Sequence, residues 1–267
     1  QLIPTIWTVY ISLTNWKGIG SPEFCGFGNY RKMAVDNMFW ESLGNTVVYW
    51  LSGLVLIICC ALLIACLLNS RYMKKDSARA FFKTATFLPN ICAAIAMGLI
   101  FRMLFDENVG LVNEVVSMAG GSKIPWLTST TFSKIPVIIL NVWRYTPWFT
   151  MILLSGLLNI SKDYYEAATV DGANAAQQFW FITLPSLKNI LFFCSVTLTV
   201  DMWKLFNESY ILPGPGTSNS SLFQYMYESG FNVFNMGYAS AIGVVLILIL
   251  MMISVIQFAV RRKQGEL

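Results

Sequence analysis

The chain has 267 residues, 56% of them hydrophobic and 12% charged, with a net charge of +4 and no histidine. A soluble domain carries about twice that charge, so the composition, with a mean hydropathy of +0.59, describes a polytopic membrane protein, and the absence of period-two alternation leaves helices as the spanning element. Lack of histidine excludes His acid–base catalysis, His metal sites and Ser-His-Asp triads, the six cysteines show no zinc spacing, and no G-x-x-x-x-G-K-[ST] run is present to cradle ATP phosphates.

Leu2 to Trp16 is apolar around Pro4 and shorter than a full span of roughly 20 residues. It reads as the outer part of a truncated first span. A signal peptide does not fit, for want of a basic head and a small-residue cleavage site. Lys17 to Ser42 is a polar loop with aromatic anchors, and Leu43 to Asn69 is the second span. Arg71, Lys74, Lys75, Arg79 and Lys83 form the densest basic stretch, which the positive-inside rule places in the cytoplasm. Ala80 to Leu104 is the third span, with Pro89 and Asn90 inside it. Phe105 to Ser133, rich in Gly and Pro, is expected to be external and irregular. Ile135 to Leu158 is the fourth span, Ser186 to Leu212 the fifth and Met236 to Val260 the sixth. The last ends in the basic Arg261-Arg262-Lys263, and Pro213 to Asn235 is external. The expectation is an all-α polytopic membrane protein of about six transmembrane helices, one domain over 1–267, without internal repeats or a second soluble domain.

Between the fourth and fifth spans lies a polar island, Ser161 to Pro185, which falls on the cytoplasmic side. Asp163 can cap a short helix, with Glu166 three residues on in capping-box spacing. Asp171-Gly172 stops that helix, because glycine takes the left-handed conformation cheaply. Asn174 can cap a second helix with Gln177 at the reciprocal position, and Pro185 closes the island. A DNA-reading helix-turn-helix is excluded, since Lys162 and Lys188 are too few to track phosphates. Pattern alone leaves a cytoplasmic elbow that is either inert or functional.

The island's Glu166-Ala167-Ala168, Asp171-Gly172-Ala173 and Ile182-x-Leu184-Pro185 resemble the EAA loop of bacterial ABC importer permeases. The match has many typed positions at fixed spacing in the expected place. The first external loop, with its GFGNY run, and the segment from Leu205 to Gly243 are similar to the carbohydrate, maltose F-type branch, so the likeness covers nearly the whole chain. It departs at Asn207, where most relatives are acidic. The resemblance implies that 159–185 is a coupling loop docking on a separate ATPase, with Glu166, Ala167, Ala168, Asp171, Gly172, Ala173, Leu184 and Pro185 in contact. It further implies a second, G-type permease subunit, two ATPase subunits holding ATP and Mg, an extracytoplasmic solute-binding protein and a carbohydrate cargo moved by alternating access. The chain itself would carry no cofactor, metal or catalytic residue, would sit in the bacterial cytoplasmic membrane and would bind no nucleic acid. A glycerol-phosphate-type solute is the alternative cargo. A stand-alone secondary transporter would need repeat-related broken helices, and a membrane enzyme a nucleophile–base pair; the sequence offers neither.

Charges inside spans cost at least a few kcal/mol and are functional candidates. Arg144 and Asp201 lie at similar depth, roughly 15 Å from the outer ends of their spans, so they are expected to pair or to line one polar cavity; a purely structural ion pair is the other reading. Lys204 and Glu208 join them. Trp143, Tyr145, Trp148 and Trp203 offer sugar-stacking faces, and Asn141 and Asn207 offer donors and acceptors; each could equally be a core or lipid-facing residue.

Overall fold

The computed structural model describes residues 2–69 and 76–263 of the chain. The basic loop's Arg71, Lys74 and Lys75 lie outside the described residues. Helices follow in the order α1 (Leu2–Ser12), α2 (Gly28–Ala34), α3 (Asn37–Asn69), α4 (Asp76–Ile91), α5 (Ala94–Leu104), α6 (Leu111–Met118) and α7 (Lys134–Leu158). Then come α8 (Lys162–Val170), α9 (Ala175–Gln178), α10 (Leu184–Ser186), α11 (Lys188–Trp203), α12 (Asn207–Ile211), α13 (Leu222–Tyr227) and α14 (Met236–Lys263). Among the described residues the one extended pairing is an isolated bridge between Thr14 and Phe24.

Among the described residues, four helical stretches are long and apolar enough to cross a bilayer: Asn37–Asn69, Lys134–Leu158, Lys188–Ile211 and Met236–Arg262. The pair α4–α5 passes the same length and composition test only when its two helices are taken together, and α1 is a shorter apolar helix. The six expected runs therefore all return as helix, with three corrections. The second span begins at Asn37 rather than Leu43, because the Asp36 carboxylate accepts the Met38 amide (3.0 Å) and starts the helix inside what reads as loop. The third is interrupted at Cys92–Ala93, just past Pro89, whose missing donor weakens that last turn. The fifth is interrupted between Trp203 and Asn207.

The segment 105–133 is ordered rather than irregular. It contains α6 and is organised by Asn113, which is fully buried. Its amide donates to the Glu107 and Ile124 carbonyls, and its oxygen accepts from the Ile124 amide and Trp126 Nε1. That uses all four of its hydrogen-bonding positions. Asp106 turns the chain before it by accepting the Asn108 and Val109 amides (2.9 and 3.1 Å), which hold its carboxyl below the ordinary carboxylate value.

The chain divides into two compact units. One comprises Gln1–Trp50, Ala94–Val137 and Val200–Leu267, the other Leu51–Ala93 and Ile138–Thr199. In the first, Met33, Phe39, Trp203, Leu222, Tyr238, Ala241, Ile242 and Leu246 form the apolar core. A polar seam runs beside it. Asn45 donates to the Thr217 and Ser220 carbonyls (2.8 and 3.0 Å), Tyr49 donates to the Asn219 carbonyl (2.7 Å), and Thr46 accepts the Leu222 amide (2.8 Å). The segment 213–235 is thereby folded onto α3, with Ser218 to Ser221 buried. In the second unit the core holds Ala61, Ala65, Leu153, Leu157, Leu187 and Cys194. Small residues here let backbones approach, as membrane helices require. At Gly156 an added Cβ would lie 2.8 Å from Leu187 Cδ2.

Asp36 also ties three elements of the first unit together. Its carboxylate accepts the hydroxyls of Tyr225 (2.6 Å) and Tyr238, while Lys32 sits 4.6 Å over the Tyr238 ring. Burial opposes the charged form of Asp36, but the two tyrosine hydroxyls and the Met38 and Phe39 amides outweigh it and hold its pKa below 3.8. Burial and the facing carboxylate push the Tyr225 hydroxyl up to about 12. A lowered acid stabilises the fold above its unfolded value and loses that contribution as pH falls through the folded value; a raised phenol stabilises below its unfolded value and loses it as pH rises through the folded one. The thermal midpoint of the purified protein should therefore show a plateau between about pH 4 and pH 10. In Asp36→Asn that plateau should be lower and its acid edge shallower, as measured by unfolding scans across pH.

Candidate functional site: the elbow between the fourth and fifth spans

The elbow lies wholly within the second unit. Its first helix, α8, is capped by Ser161, whose Oγ accepts the Asp163 amide (3.2 Å). The expected Asp163 cap is thus corrected by two positions. Asp163 instead sits in the first turn, where its charge complements the helix dipole. Glu166 is released from any capping box and is exposed. The helix ends in a Schellman closure: the Ala173 amide donates to the Ala168 carbonyl (2.8 Å) and the Gly172 amide to the Thr169 carbonyl (3.1 Å). Gly172 adopts φ +82° to allow this. The second helix opens on the expected capping box, with Asn174 Oδ1 accepting the Gln177 amide (2.9 Å) and Gln177 Oε1 accepting the Asn174 amide (2.8 Å).

Pro185 does not end that helix. Residues Phe179–Thr183 form a wide π-turn, in which the Leu184 amide reaches the Phe179 carbonyl, and the chain continues through α10 into α11. In a regular helix Pro185 would press on the carbonyl four residues back and offer it no donor. Widening the preceding turn relieves both problems.

Four side chains that sequence reasoning passed over close the elbow on itself. Tyr165 Oη lies 2.9 Å from Thr183 Oγ1. Thr183 Oγ1 donates to the Gln178 carbonyl at 3.4 Å, a reach of five residues that the π-turn provides. Gln178 Nε2 donates to Thr169 Oγ1 (3.0 Å) and to the Ala173 carbonyl (3.3 Å), and Thr169 Oγ1 donates to the Tyr165 carbonyl (2.7 Å). A hollow of about 510 Å³ opens beside them, bounded by Asn69, Leu157, Lys162, Glu166 and Ala175 among others. Nothing on α8 is buried. Glu166, Ala167, Asp171, Gly172 and Pro185 are exposed, and Ala168, Ala173 and Leu184 are half-buried. Val170, at the helix end, is 87% exposed.

The in-membrane candidates distribute differently. On α7, Asn141 is 2% exposed, and neither its oxygen nor its nitrogen has a hydrogen-bond partner among the described residues. The Arg144 guanidinium lies 5.5 Å from the Tyr145 ring centre. Trp143 and Trp148 are exposed, and Trp148 lines a groove of about 550 Å³ with Phe87, Met151, Ser155, Asn159 and Ile190. Arg144 belongs to the second unit and Asp201 to the first. Trp203 is 2% exposed and packs on Trp50, with ring centres 6.1 Å apart inside the core. Lys204 is exposed and its amide donates to the Asp201 carbonyl (3.2 Å). Asn207 and Glu208 stand on α12, in the same candidate span but beyond its local break; Asn207 is exposed and Glu208 is 2% exposed.

Residues 57–265 match the family model described as the binding-protein-dependent transport system inner membrane component. The chain belongs to this family of permeases. The arabinooligosaccharides transport system permease protein AraP of Halalkalibacterium halodurans is 32% identical to it over 238 residues, covering 88% of this chain and 74% of the relative. The lactose transport system permease protein LacF of Rhizobium radiobacter is 31% identical over 271 residues, covering 99% and 89%. Among solved structures, a chain of the bacterial alginate ABC transporter, in complex with an alginate pentasaccharide-bound periplasmic protein, superposes with a TM-score of 0.85 at 21% identity. The superposition covers 98% of this chain and 88% of that one, and the likeness carries the permease fold. The protein is thus an all-α, multi-pass inner-membrane permease.

Proposed function

We propose that this permease is one half of the membrane pore of an ATP-driven importer, and that its cargo is a sugar or oligosaccharide. The observation that carries this reading is the elbow: a pre-formed, exposed, glycine-hinged pair of helices in the membrane component of a binding-protein-dependent system. Such a surface suits docking on an ATPase, through Glu166, Ala167, Ala168, Asp171, Gly172, Ala173, Leu184 and Pro185. The arabinooligosaccharide and lactose systems of the relatives support a carbohydrate cargo. In this reading ATP and Mg are held by two separate ATPase subunits, a G-type permease completes the pore, and an extracytoplasmic binding protein delivers the sugar. The permease performs no chemistry of its own.

Asn141, Trp143, Arg144, Tyr145, Trp148, Asp201, Trp203, Lys204, Asn207 and Glu208 are proposed to border the path. Of these Asn141 has the clearest physical warrant, since a buried amide without a partner costs about 1–3 kcal/mol and a sugar hydroxyl could satisfy it. Purification of the tagged permease from its native host should recover a second permease and an ATPase, identified by mass. The complex in vesicles should take up labelled oligosaccharides only with ATP and the binding protein. Uptake of glycerol phosphates in place of sugars would overturn the cargo, and uptake without an ATPase would overturn the whole reading. Asn141→Leu should lower uptake more than ATP hydrolysis.

A further inference from the structure

We propose that Tyr165, Thr169, Gln178 and Thr183 are positioning residues of the elbow: a polar clasp that makes its two helices move as one body when force arrives from the ATPase. The inference rests on the coupling role proposed above. Three observations carry it. First, the clasp joins the two arms directly. Thr183 gives its hydroxyl proton to the Gln178 carbonyl, which makes Tyr165 the donor across the 2.9 Å link to Thr183. Gln178 in turn ties α9 to Thr169 on α8 and to the carbonyl of Ala173 beside the hinge. Secondly, α8 buries no residue, so apolar packing does not fix its angle. The glycine at φ +82° would by itself permit rotation. Thirdly, the link depends on the π-turn. Thr183 reaches a carbonyl five residues back, at the place where Pro185 forbids the regular turn. Widened turns of this kind cluster at functional sites. Pro185 therefore sets the register that brings Thr183 to Tyr165, a role separate from any surface it presents to the ATPase. Thr183 is 6% exposed, so its link is shielded from competing water.

The test uses the whole importer in vesicles and reads two quantities: ATP hydrolysed in response to the binding protein, and sugar taken up per ATP. Tyr165→Phe and Thr183→Val keep size and remove one hydroxyl each. Each should lower uptake per ATP about three- to tenfold, the scale of one hydrogen bond, while leaving complex assembly and ATP hydrolysis near normal. The double variant should be no worse than either single, because both remove the same link. Thr183→Ser, which retains the hydroxyl, should restore coupling. Unchanged uptake per ATP in both single variants overturns the clasp, as does loss of assembly in Tyr165→Phe, which would mark a purely structural bond. If Gly172→Val uncouples transport and the clasp variants do not, only the clasp fails. If neither Gly172→Val nor any clasp variant alters uptake per ATP, the coupling role of the elbow fails with it.

Discussion

Gly172→Val should leave the importer assembled and its permease stable, yet reduce ATP-coupled uptake by about tenfold or more. The residue sits at φ +82°, and the space around an added Cβ is open to at least 4 Å. The penalty is therefore conformational rather than steric: roughly 1–2 kcal/mol for a side chain forced into the left-handed region, more for a β-branched one. The cheapest escape for the chain is to leave that region. Doing so breaks the Schellman bonds from Ala173 and Gly172 and swings α8 relative to α9. Because α8 buries nothing, the swing strains only its polar links to Gln178 and Thr183, so global stability should change little. A graded series follows from the same physics. Asn tolerates this conformation best among non-glycine residues, so uptake should rank Gly172, then Asn, then Ala, then Val. Transport assays on vesicles with matched permease content would check it. Full uptake in Gly172→Val would exclude a shape-dependent elbow.

The largest effect on stability is expected at Gly237. This glycine opens α14, where its amide donates to the Trp16 carbonyl (3.0 Å), and an added Cβ would collide with the Thr14 carbonyl. The obstacle is backbone, held in turn by the Asn29 side chain, whose Nδ2 donates to the Ser12 and Thr14 carbonyls (2.8 and 2.9 Å). Neither partner can rotate aside as a flexible side chain would. Gly237→Ala should therefore cost about 3 kcal/mol or more, the upper range for overpacking, and lower the unfolding temperature by about 6 °C or more. Gly44→Ala is the matched control. It lies in α3 with open space around an added Cβ, and relief of glycine's flexibility should leave the protein unchanged or slightly steadier. Equal midpoints for the two variants would show that the α1–α14 approach has slack.

What the sequence made legible was local. Asn174 and Gln177 stand three apart, so their reciprocal cap follows from spacing, and Gly172 follows from the need to close a helix. The apolar runs were equally plain, because bilayer thickness dictates their length. The Ser161 cap was missed because Asp163 competes for the role within the same few residues, and only the backbone angles choose between them. The π-turn was missed because a helix-terminating proline and a helix-widening one look alike until the next span is seen to continue. The burial of Trp203 was open for a different reason: an apolar ring and a stacking ring read alike in sequence, and the neighbour it packs on, Trp50, lies far away in the chain. Asp36 with Tyr225 and Tyr238, separated by 189 and 202 positions, gave no sign at all.

Those separations govern how the protein must be made. The bonds from Asn45, Thr46 and Tyr49 reach partners 170 to 176 residues downstream. While the ribosome is still translating the middle of the chain, these donors and acceptors have nothing native to bind. They stay unmet until residues near 222 have emerged. Closure of so long a loop is intrinsically slow, and a half-made chain with open polar groups is the kind that quality-control proteases remove. Nascent chains truncated before residue 217 should accordingly turn over faster than those carried past residue 238.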